Sequence, residues 1–199
     1  LKNYKDFKIL VLDQSNDENL EKYFKNFFPK LEFYKSTKKN LGFAKGINFL
    51  IRKVKTKYFL CTQPDILIKK KSILNLRKPF KYKENCILSV PEIKNFNSYK
   101  RKKNDKIYKI NNFIGAIFMG NKKKFINIKM FDESFFFYWE DVDLSNRILK
   151  SKYNIFINHS SKATHAWSST KFNLSSRFIK NSNFKFGEYL YQYKNNNLR

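Results

Sequence analysis

Three carboxylates follow a run of aromatic residues in the stretch FFFYWEDVDLSNRIL, between Phe135 and Leu149. Glu140, Asp141 and Asp143 fall in the first turn of a predicted helix, where the positive end of the helix dipole favours acids. The dipole accounts for one or two acids, but not for the aromatic residues before them, because a charge beside apolar bulk is costly to bury. A carboxylate held against aromatic rings can serve as a general base, which makes this stretch the first candidate for chemistry.

Two further acids, Asp13 and Asp65, each end a predicted strand, in FKILVLD and KYFLCTQPD. In open α/β sheets ligands bind outside the carboxyl ends of the strands, so both acids are candidates for contact with a ligand or a metal ion. The alternative is that each acid caps the turn or helix that follows it, which is a common role for Asp. The residues alone leave both interpretations open.

The segment NLGFAKG, residues 40–46, places two glycines at the start of a predicted helix. It matches neither GxGxxG nor the P-loop pattern. A close backbone approach and free amides at a helix N-terminus nevertheless suit a phosphate-bearing ligand. The histidines give weaker signals: His165 stands alone in KATHAWSS, where a structural role is the commoner one, and His159 has no supporting context.

The first third of the chain alternates strands and helices, a pattern typical of an α/β sheet. Helices are predicted from apolar residues spaced three and four apart, and strands from short apolar runs. The predicted order is a strand ending at Asp13, a helix capped by Asn16 or Asp17 with Leu20, Tyr23, Phe24 and Phe27 on its apolar face and stopped by Pro29, a strand LEFYKS, a helix with Ile47, Leu50, Ile51 and Val54 on one face, and a strand ending at Asp65.

The remaining chain gives a less regular pattern. CILSVPEI, FIGAIFMG and YNIFINHS predict strands and NKKKFINI a short helix, whereas KNFNSYKRKKNDKIYKINN has no period and predicts a loop or flap. Leu144, Ile148 and Leu149 are expected to form the buried face of the helix that carries the carboxylates. No linker divides the chain, so we expect a domain at 1–170 followed by a basic, aromatic, helical segment at 171–199.

The charge of the chain is strongly positive: 42 Lys and Arg against 16 Asp and Glu give +26. An even Lys, Asn, Ile and Phe bias can reflect an AT-rich genome, or attraction to a polyanion or an anionic membrane face. The 18% of aromatic residues argue against disorder. Cys61 and Cys86 lack CxxC partners, which excludes a zinc signature and a disulfide framework, and Cys61 is expected to be a buried thiol. No apolar run reaches the ~20 residues that span a bilayer, so the expected location is cytoplasmic.

These pieces, in this order, resemble glycosyltransferase family 2 of the inverting GT-A type, with the closest likeness to its bacterial rhamnosyltransferase-like and galactofuranosyltransferase-like branch. Residues 40–48 match Asn-x-Gly-Phe-Ala-x-Gly-x-Asn, and residues 131–147 match Phe-Asp-Glu-x-Phe-Phe-x-Tyr-x-Glu-Asp-x-Asp-Leu-x-x-Arg, the most specific block. The likeness extends from Phe7 to about Ser169. Its other parts are the acid and Ser/Asp turn at 13–17, the triplet Gln63-Pro64-Asp65, the pair Gly115-Ala116, and His165.

The resemblance implies a GT-A fold, which is an α/β fold with a mixed sheet flanked by helices. It also implies a single displacement with inversion, through an oxocarbenium-like state. By resemblance, Asp141 is the general base that takes the proton from the acceptor hydroxyl, and Glu140 and Asp143 orient the base or the acceptor. Tyr138 and Trp139 would shape the acceptor site, since sugar rings pack on aromatic faces.

For the donor, the resemblance implies a nucleoside-diphosphate sugar carrying UDP or dTDP. It implies a divalent metal, Mn²⁺ or Mg²⁺, held by Asp65 and His165, because hard oxygen ligands with one imidazole suit these ions. The implied acceptor is a growing glycan or a polyprenyl-linked one, in cell-surface polysaccharide synthesis at the inner face of the membrane. The implied nucleotide-sugar site consists of Asp13, Asn40, Gly42, Lys45, Gln63 and Asp65.

Two departures from the family pattern bear on activity. Gln63 brings no charge to the metal triplet, which lowers the expected metal affinity. The family's first strand and helix should precede Phe7, so we expect an N-terminally incomplete domain, a fragment of a longer enzyme. The alternatives are a catalytically inactive family-2 homologue acting as a scaffold, and a basic nucleic-acid-binding protein. Retained Asp65, Asp141 and His165 argue against the first. The scarcity of Arg and the absence of RRM, KH or zinc patterns argue against the second.

Overall fold

The structure is a computed structural model that describes residues 7–15, 17–36, 40–94, 106–166 and 174–196. Strands and helices alternate from β1 to β3, as the hydrophobic pattern predicts. The elements, in chain order, are β1 (Leu10–Asp13), α1 (Leu20–Phe27), β2 (Glu32–Lys35), α2 (Phe43–Lys53), β3 (Tyr58–Thr62), β4 (Ile66–Ile68), α3 (Lys70–Leu76), α4 (Lys78–Tyr82), β5 (Cys86–Lys94), β6 (Ile107–Ile110), β7 (Ile117–Asn121), α5 (Lys122–Asn127), α6 (Glu140–Leu149), β8 (Asn154–His165) and α7 (Leu174–Asn196).

The larger sheet has six strands and both parallel and antiparallel pairs. Its order is β3-β7-β5-β8-β4, and β6 pairs with β8 beside β4. β5 and β8 run parallel, while β8 pairs antiparallel with β6 through Ile155–Asn158 and with β4 through Ala163–His165. A mixed sheet flanked by helices confirms the predicted fold class.

The smaller sheet consists of β1 and β2 in parallel, with Asp13 opposite Lys35 at its end. Within the described ranges the two sheets share no strand. α2 joins the two, because its Gly46 lies against Leu12 of β1 while its Ile51 belongs to the core of the larger sheet. The expected lack of the family's first strand stays a prediction.

The core beneath the larger sheet is built from phenylalanine rings. Phe118, Phe125 and Phe131 are fully buried, and Phe125 meets Phe59 and Phe131 edge-on at ring-centroid distances of 5.3 and 5.5 Å. Edge-to-face pairs of this kind add to the burial term, which is about 1.5–3 kcal/mol for a buried Phe. The aromatic excess of the sequence therefore goes largely into packing.

Two predicted helix faces differ from the structure. α1 has no buried residue, and Tyr23 and Phe27 are exposed, because the sheet of β1 and β2 is too small to cover an apolar face. On α6, Leu144 and Ile148 are buried as predicted, but Leu149 is exposed and its assignment to the buried face is wrong. Leu149 lies one position, about 100° of helix rotation, beyond the face that Leu144 and Ile148 share.

The start of α1 also differs from the prediction. The helix begins at Leu20, with Asn19 at its N-cap position and no capping hydrogen bond from that side chain. Asp17 Oδ1 accepts a hydrogen bond from the Asn19 amide at 2.8 Å, so Asp17 closes the turn before the helix instead of capping it. Asn16, the other predicted cap, lies outside the described residues.

The region after Asp65 contains more structure than its sequence predicts. α3 and α4 lie in residues 69–82, and β6 lies inside the stretch predicted as a loop or flap. Residues 95–105 of that stretch are outside the described residues. Among the helices in the described ranges, none has the length and apolar character needed to cross a membrane.

Candidate active site

Helix α6, which carries the carboxylates, follows an unusual backbone turn at residues 136–139, called the aromatic turn below. Tyr138 and Trp139 both adopt left-handed conformations, with φ of 73° and 71°. For residues with a Cβ this conformation costs roughly 1–2 kcal/mol each, and such strain concentrates at functional sites. The turn directs the start of α6, with Glu140 and Asp141 at its first two positions.

Helix α7 packs on the aromatic turn. Rings of Phe184 and Tyr191 lie 5.7 and 5.4 Å from Trp139, measured between centroids. Gly187 faces the turn so closely that a Cβ there would lie 2.9 Å from both the Tyr138 carbonyl oxygen and Trp139 Cδ1. The predicted acceptor residues Tyr138 and Trp139 are therefore covered on one side by α7.

The carboxylate of Asp141 is held by the backbone of a neighbouring segment. Its Oδ2 accepts a hydrogen bond from the Gly115 amide at 2.9 Å, and its Oδ1 accepts one from Val142 at 2.9 Å. Burial raises the pKa of Asp141, and these hydrogen bonds act in the opposite direction. A Cβ at Gly115 would lie 3.6 Å from Asp141 Cβ, so the Gly-Ala pair that the sequence singled out packs directly on the candidate base.

Glu140 differs from Asp141 in its environment. It is buried, and its Oε2 has no hydrogen-bond partner among the described residues. Burial, and then the neighbouring charge of Asp141, raise the pKa of Glu140 to about 8. With a pKa of about 8, Glu140 is protonated at neutral pH and does not compete with Asp141 for an acceptor proton. The hydrogen bonds from Gly115 and Val142 favour the charged form of Asp141.

Asp143 forms an ion pair with Arg147. Its Oδ2 accepts from Arg147 Nε at 2.7 Å, and the same guanidinium donates to the carbonyls of Ile128 and Met130 at 2.6 and 2.8 Å. The pair fastens α6 to the segment after α5. These contacts give Asp143 a structural role, and its predicted part in orienting a substrate stays a prediction.

The glycine segment before α2 is joined to the aromatic turn. Gly42 has φ 79° and ψ 177°, a conformation that only glycine adopts readily. A Cβ there would lie 2.3 Å from the Phe136 carbonyl oxygen, and the Phe43 amide donates to that oxygen at 2.8 Å. Asn40 Oδ1 accepts from the Gly42 amide at 2.8 Å, and Lys45 is exposed. The predicted nucleotide segment is thus in direct contact with the backbone of Phe136, two residues before the predicted acceptor residue Tyr138.

Gln14 is a member of this site that the sequence analysis missed. Its Oε1 accepts from the Leu41 amide at 2.7 Å, which fastens the end of β1 to the glycine segment. Asp13, the residue before it, is buried, and its Oδ1 accepts from the amide and the hydroxyl of Ser15 at 2.8 and 2.7 Å. Asp13 therefore closes the turn after β1, while its Oδ2 has no partner among the described residues. Its role in nucleotide binding stays a prediction.

The end of β3 reaches the same edge of the sheet. The backbone N–H of Gln63 donates to the carbonyl of Ala116 at 3.0 Å. Ala116 follows Gly115, whose backbone N–H holds Asp141. Two residues after Gln63, Asp65 Oδ2 pairs with His165 Nε2 at 3.0 Å, and the Ala166 amide donates to the Asp65 carbonyl at 3.0 Å. The structure thus brings the two predicted metal ligands together although they are a hundred residues apart.

Asp65 and His165 offer a metal ion two donor groups. In the part of the chain that the structure describes, no group of three or more His, Cys, Asp or Glu side chains is placed to hold one. Mg²⁺ and ions like it bind through one or two protein ligands and complete their shell with waters and substrate phosphates. One carboxylate oxygen beside one imidazole nitrogen fits such an ion when a diphosphate supplies further oxygens.

His159 is a core residue and lies outside this constellation. It is buried, with Nδ1 paired to Glu92 and Nε2 2.9 Å from the Tyr108 hydroxyl. The sequence left it open between surface and core.

A mixed sheet flanked by helices, with carboxylates and a glycine segment at strand ends, is the architecture of the GT-A transferases. The sequence matches the family model described as Glycosyl transferase family 2 over residues 1–144. The chain therefore belongs to glycosyltransferase family 2. No curated protein matches the chain in sequence.

Solved structures show the same fold. GalNAc-T7 with UDP, GalNAc and Mn²⁺ matches 79% of this chain and 37% of its own at TM-score 0.67 and 14% identity. For TarS 1–349 of S. aureus in complex with UDP, the match covers 80% of this chain and 51% of that chain, with a TM-score of 0.62 and 13% sequence identity. For the mannosyltransferase PcManGT of Pyrobaculum calidifontis, in complex with GDP-Man and Mn²⁺, it covers 83% of this chain and 49% of that chain, with a TM-score of 0.63 and 11% sequence identity. The chain spans between 37% and 51% of the length of these proteins.

Proposed function

We propose that this chain carries the catalytic site of an inverting glycosyltransferase that moves a sugar from a nucleoside diphosphate to an acceptor hydroxyl. The observation that supports this most directly is the pair at the start of α6. A protonated Glu140 lies beside Asp141, whose side chain is positioned by the backbone N–H of Gly115 at 2.9 Å. This arrangement provides one oriented base next to the aromatic turn.

In the proposed reaction the acceptor oxygen forms a bond to the anomeric carbon while the bond from that carbon to the diphosphate oxygen breaks. Asp141 takes the acceptor proton, and the nucleoside diphosphate leaves with the electron pair, so the anomeric configuration inverts. Tyr138 and Trp139 pack on the acceptor sugar and exclude water. Asn40, Gly42, Lys45 and Gln63 contact the donor, with Asp13 at the base or ribose.

A divalent cation, Mn²⁺ or Mg²⁺, when bound would neutralise the charge that develops on the leaving diphosphate. Asp65 and His165 are the residues that would hold it. Two of the similar solved structures contain Mn²⁺ with a nucleotide or nucleotide sugar, which supports a metal here.

We further propose a UDP- or dTDP-sugar donor and a glycan or polyprenyl-linked acceptor at the cytoplasmic face of the membrane. The block at 131–147 and the segment at 40–48, which resemble the rhamnosyltransferase-like and galactofuranosyltransferase-like branch, support this assignment. Two of the structural neighbours hold UDP, which is consistent with it. The product would be part of a cell-surface polysaccharide.

The test is release of nucleoside diphosphate from a panel of UDP- and dTDP-sugars, with and without Mn²⁺, using wild type, Asp141→Asn and Glu84→Gln. Glu84 is an exposed acid outside every motif of the site and serves as the matched control. We expect metal-dependent release with one donor, a loss of at least a hundredfold in Asp141→Asn, and an unchanged rate in Glu84→Gln. Binding of each nucleotide is measured in parallel by calorimetry. Absence of both binding and release would reject the transferase and favour the scaffold.

A further inference from the structure

Helix α7 has two faces with different surroundings. The inner face carries Gly187, Phe184 and Tyr191 against the aromatic turn. Farther along, Asn195 accepts a hydrogen bond from Asn146 of α6 at 2.5 Å, and Lys194 pairs with Asp132. These contacts fix the orientation of the helix on the domain.

The outer face carries a stripe of aromatic side chains. Phe178, Phe186, Tyr189 and Tyr193 are between 57% and 73% exposed, far more than aromatic residues in the core. At 100° per residue their spacings of eight, three and four positions place them within one narrow arc, roughly opposite Gly187 and Tyr191. A contiguous exposed aromatic stripe of this kind marks a surface that meets an apolar partner.

The charge of the protein indicates which apolar partner fits. The chain carries +26, and the helix itself bears Arg177, Lys180, Lys185 and Lys194 against the single acid Glu188. Two copies with this charge repel each other, which disfavours a dimer through the stripe. An anionic surface is attracted instead, and the attraction grows with each basic residue held near it.

The layout of the stripe favours a lipid surface over a nucleic acid. Binding of single strands needs basic groups interleaved with the stacking rings, to follow the phosphates. Here the four rings form a nearly unbroken apolar line, bordered by Lys185 and interrupted by the neutral Ser182. At 100° per residue, Arg177 and Lys180 lie on the opposite side of the helix from the rings. An aromatic face with basic residues on the opposite, polar face is the pattern of a helix lying in a membrane interface.

We propose that the outer face of α7, defined by Phe178, Phe186, Tyr189 and Tyr193, docks on an anionic lipid bilayer. In this position the helix lies along the membrane, with the rings at the boundary between headgroups and acyl chains. Its inner face then holds Trp139 and the start of α6 within about one helix diameter, ~10 Å, of the lipid. Docking does not depend on the proposed function, whereas presentation of a lipid-linked acceptor to Asp141 does.

The test is co-sedimentation of the protein with vesicles of phosphatidylcholine alone and with 30% phosphatidylglycerol, at fixed ionic strength. The docking variant is Phe178→Ser with Tyr193→Ser. The matched control is Tyr23→Ser with Tyr82→Ser, two tyrosines that are 59% and 65% exposed on other helices. Thermal unfolding checks that both variants fold. We expect strong binding only to the anionic vesicles, a loss of at least tenfold in the docking variant, and less than a twofold change in the control.

Several outcomes would overturn the proposal. Wild-type binding by the docking variant would show that charge alone attracts the protein and that the stripe is not the docking surface. An equal loss of vesicle binding in the control variant would also show that the stripe is not the docking surface. A wild-type dimer in the absence of vesicles that the docking variant converts to monomer would assign the stripe to a second copy. If the docking variant loses binding to a single-stranded oligonucleotide but binds vesicles like wild type, the stripe would be assigned to nucleic acid. Asp141→Asn should bind vesicles like wild type, which separates this result from a failure of the proposed function.

Discussion

Two glycines four positions apart, Gly42 just before α2 and Gly46 within it, are expected to differ strongly in their response to the same substitution by Ala. Gly42 has φ 79° and ψ 177°, and an added Cβ would lie 2.3 Å from the backbone oxygen of Phe136. Gly46 lies in the helix with ordinary φ, and its added Cβ would meet the side-chain nitrogen of Gln14 at 3.2 Å. Backbone cannot move aside as a flexible side chain can.

The magnitudes follow from these contacts. For Gly42→Ala, the disallowed backbone conformation costs about 1–3 kcal/mol and the steric overlap about 1–3 kcal/mol. Loss of the hydrogen bond from Phe43 to Phe136 adds about 1 kcal/mol, for a total of about 3–7 kcal/mol. For Gly46→Ala, a gain of about 0.5–1 kcal/mol from helix propensity offsets a shift of the Gln14 amide, so the net change should be within about 1 kcal/mol of zero.

The assay is urea unfolding followed by circular dichroism, with the free energy of unfolding extrapolated to water. A loss of about 3–7 kcal/mol is a large share of the roughly 5–15 kcal/mol typical of a domain, so Gly42→Ala should be partly unfolded without denaturant if the wild type is marginal. The reasoning fails if Gly42→Ala stays within about 1 kcal/mol of wild type. It also fails if both variants lose the same amount, because the contrast between backbone and side-chain contact would then have no effect.

Three further predictions concern buried ionisable groups. Because the folded-state pKa of Glu140 is about 8 against an ordinary 4.5, wild-type stability should fall as pH rises through this range. Glu140→Gln removes that loss, so its stability advantage over wild type in urea unfolding should grow from pH 5 to 8 and then level off. Arg147→Ala leaves Asp143 buried without its partner and should lower the free energy of unfolding by about 3–5 kcal/mol. Arg147→Lys should lower it less, and equal losses in the two variants would contradict a role for the forked guanidinium group. Burial raises the pKa of Cys61 and Cys86 to about 12, so neither thiol should react with Ellman's reagent at pH 8 until urea is added.

The strongly periodic elements could be predicted from the sequence. β1, α2, β3 and α5 lie where apolar runs and helical spacing place them, because each has one clear apolar face or a short buried run. β4, α3, α4 and β6 were missed. Their short segments have little intrinsic period, and β6 forms because β8 supplies its hydrogen-bonding partner. Pairing between strands that are distant in sequence cannot be predicted from the local hydrophobic pattern.

The site follows the same division. The i, i+4 spacing of Asp143 and Arg147 was visible in the sequence and could have indicated their ion pair. The hydrogen bond from the Gly115 amide to Asp141 could not, because a backbone donor carries no residue-type signal. Gln14 was missed for a related reason, since its role depends on where the glycine segment lies after folding.

The position of β8 also has a consequence for synthesis of the chain. β8 completes the pairing of β4, β5 and β6, and it pairs Ile66 with His165. Translation proceeds at ~5–20 residues per second, so β8 is synthesised on the order of 5–20 s after β4. During that interval β4 is an apolar strand without its pairing partner. Lys69, Lys70 and Lys71 follow that strand directly. Flanking charges of this kind oppose association between nascent chains, so part of the lysine excess can act before the protein is folded.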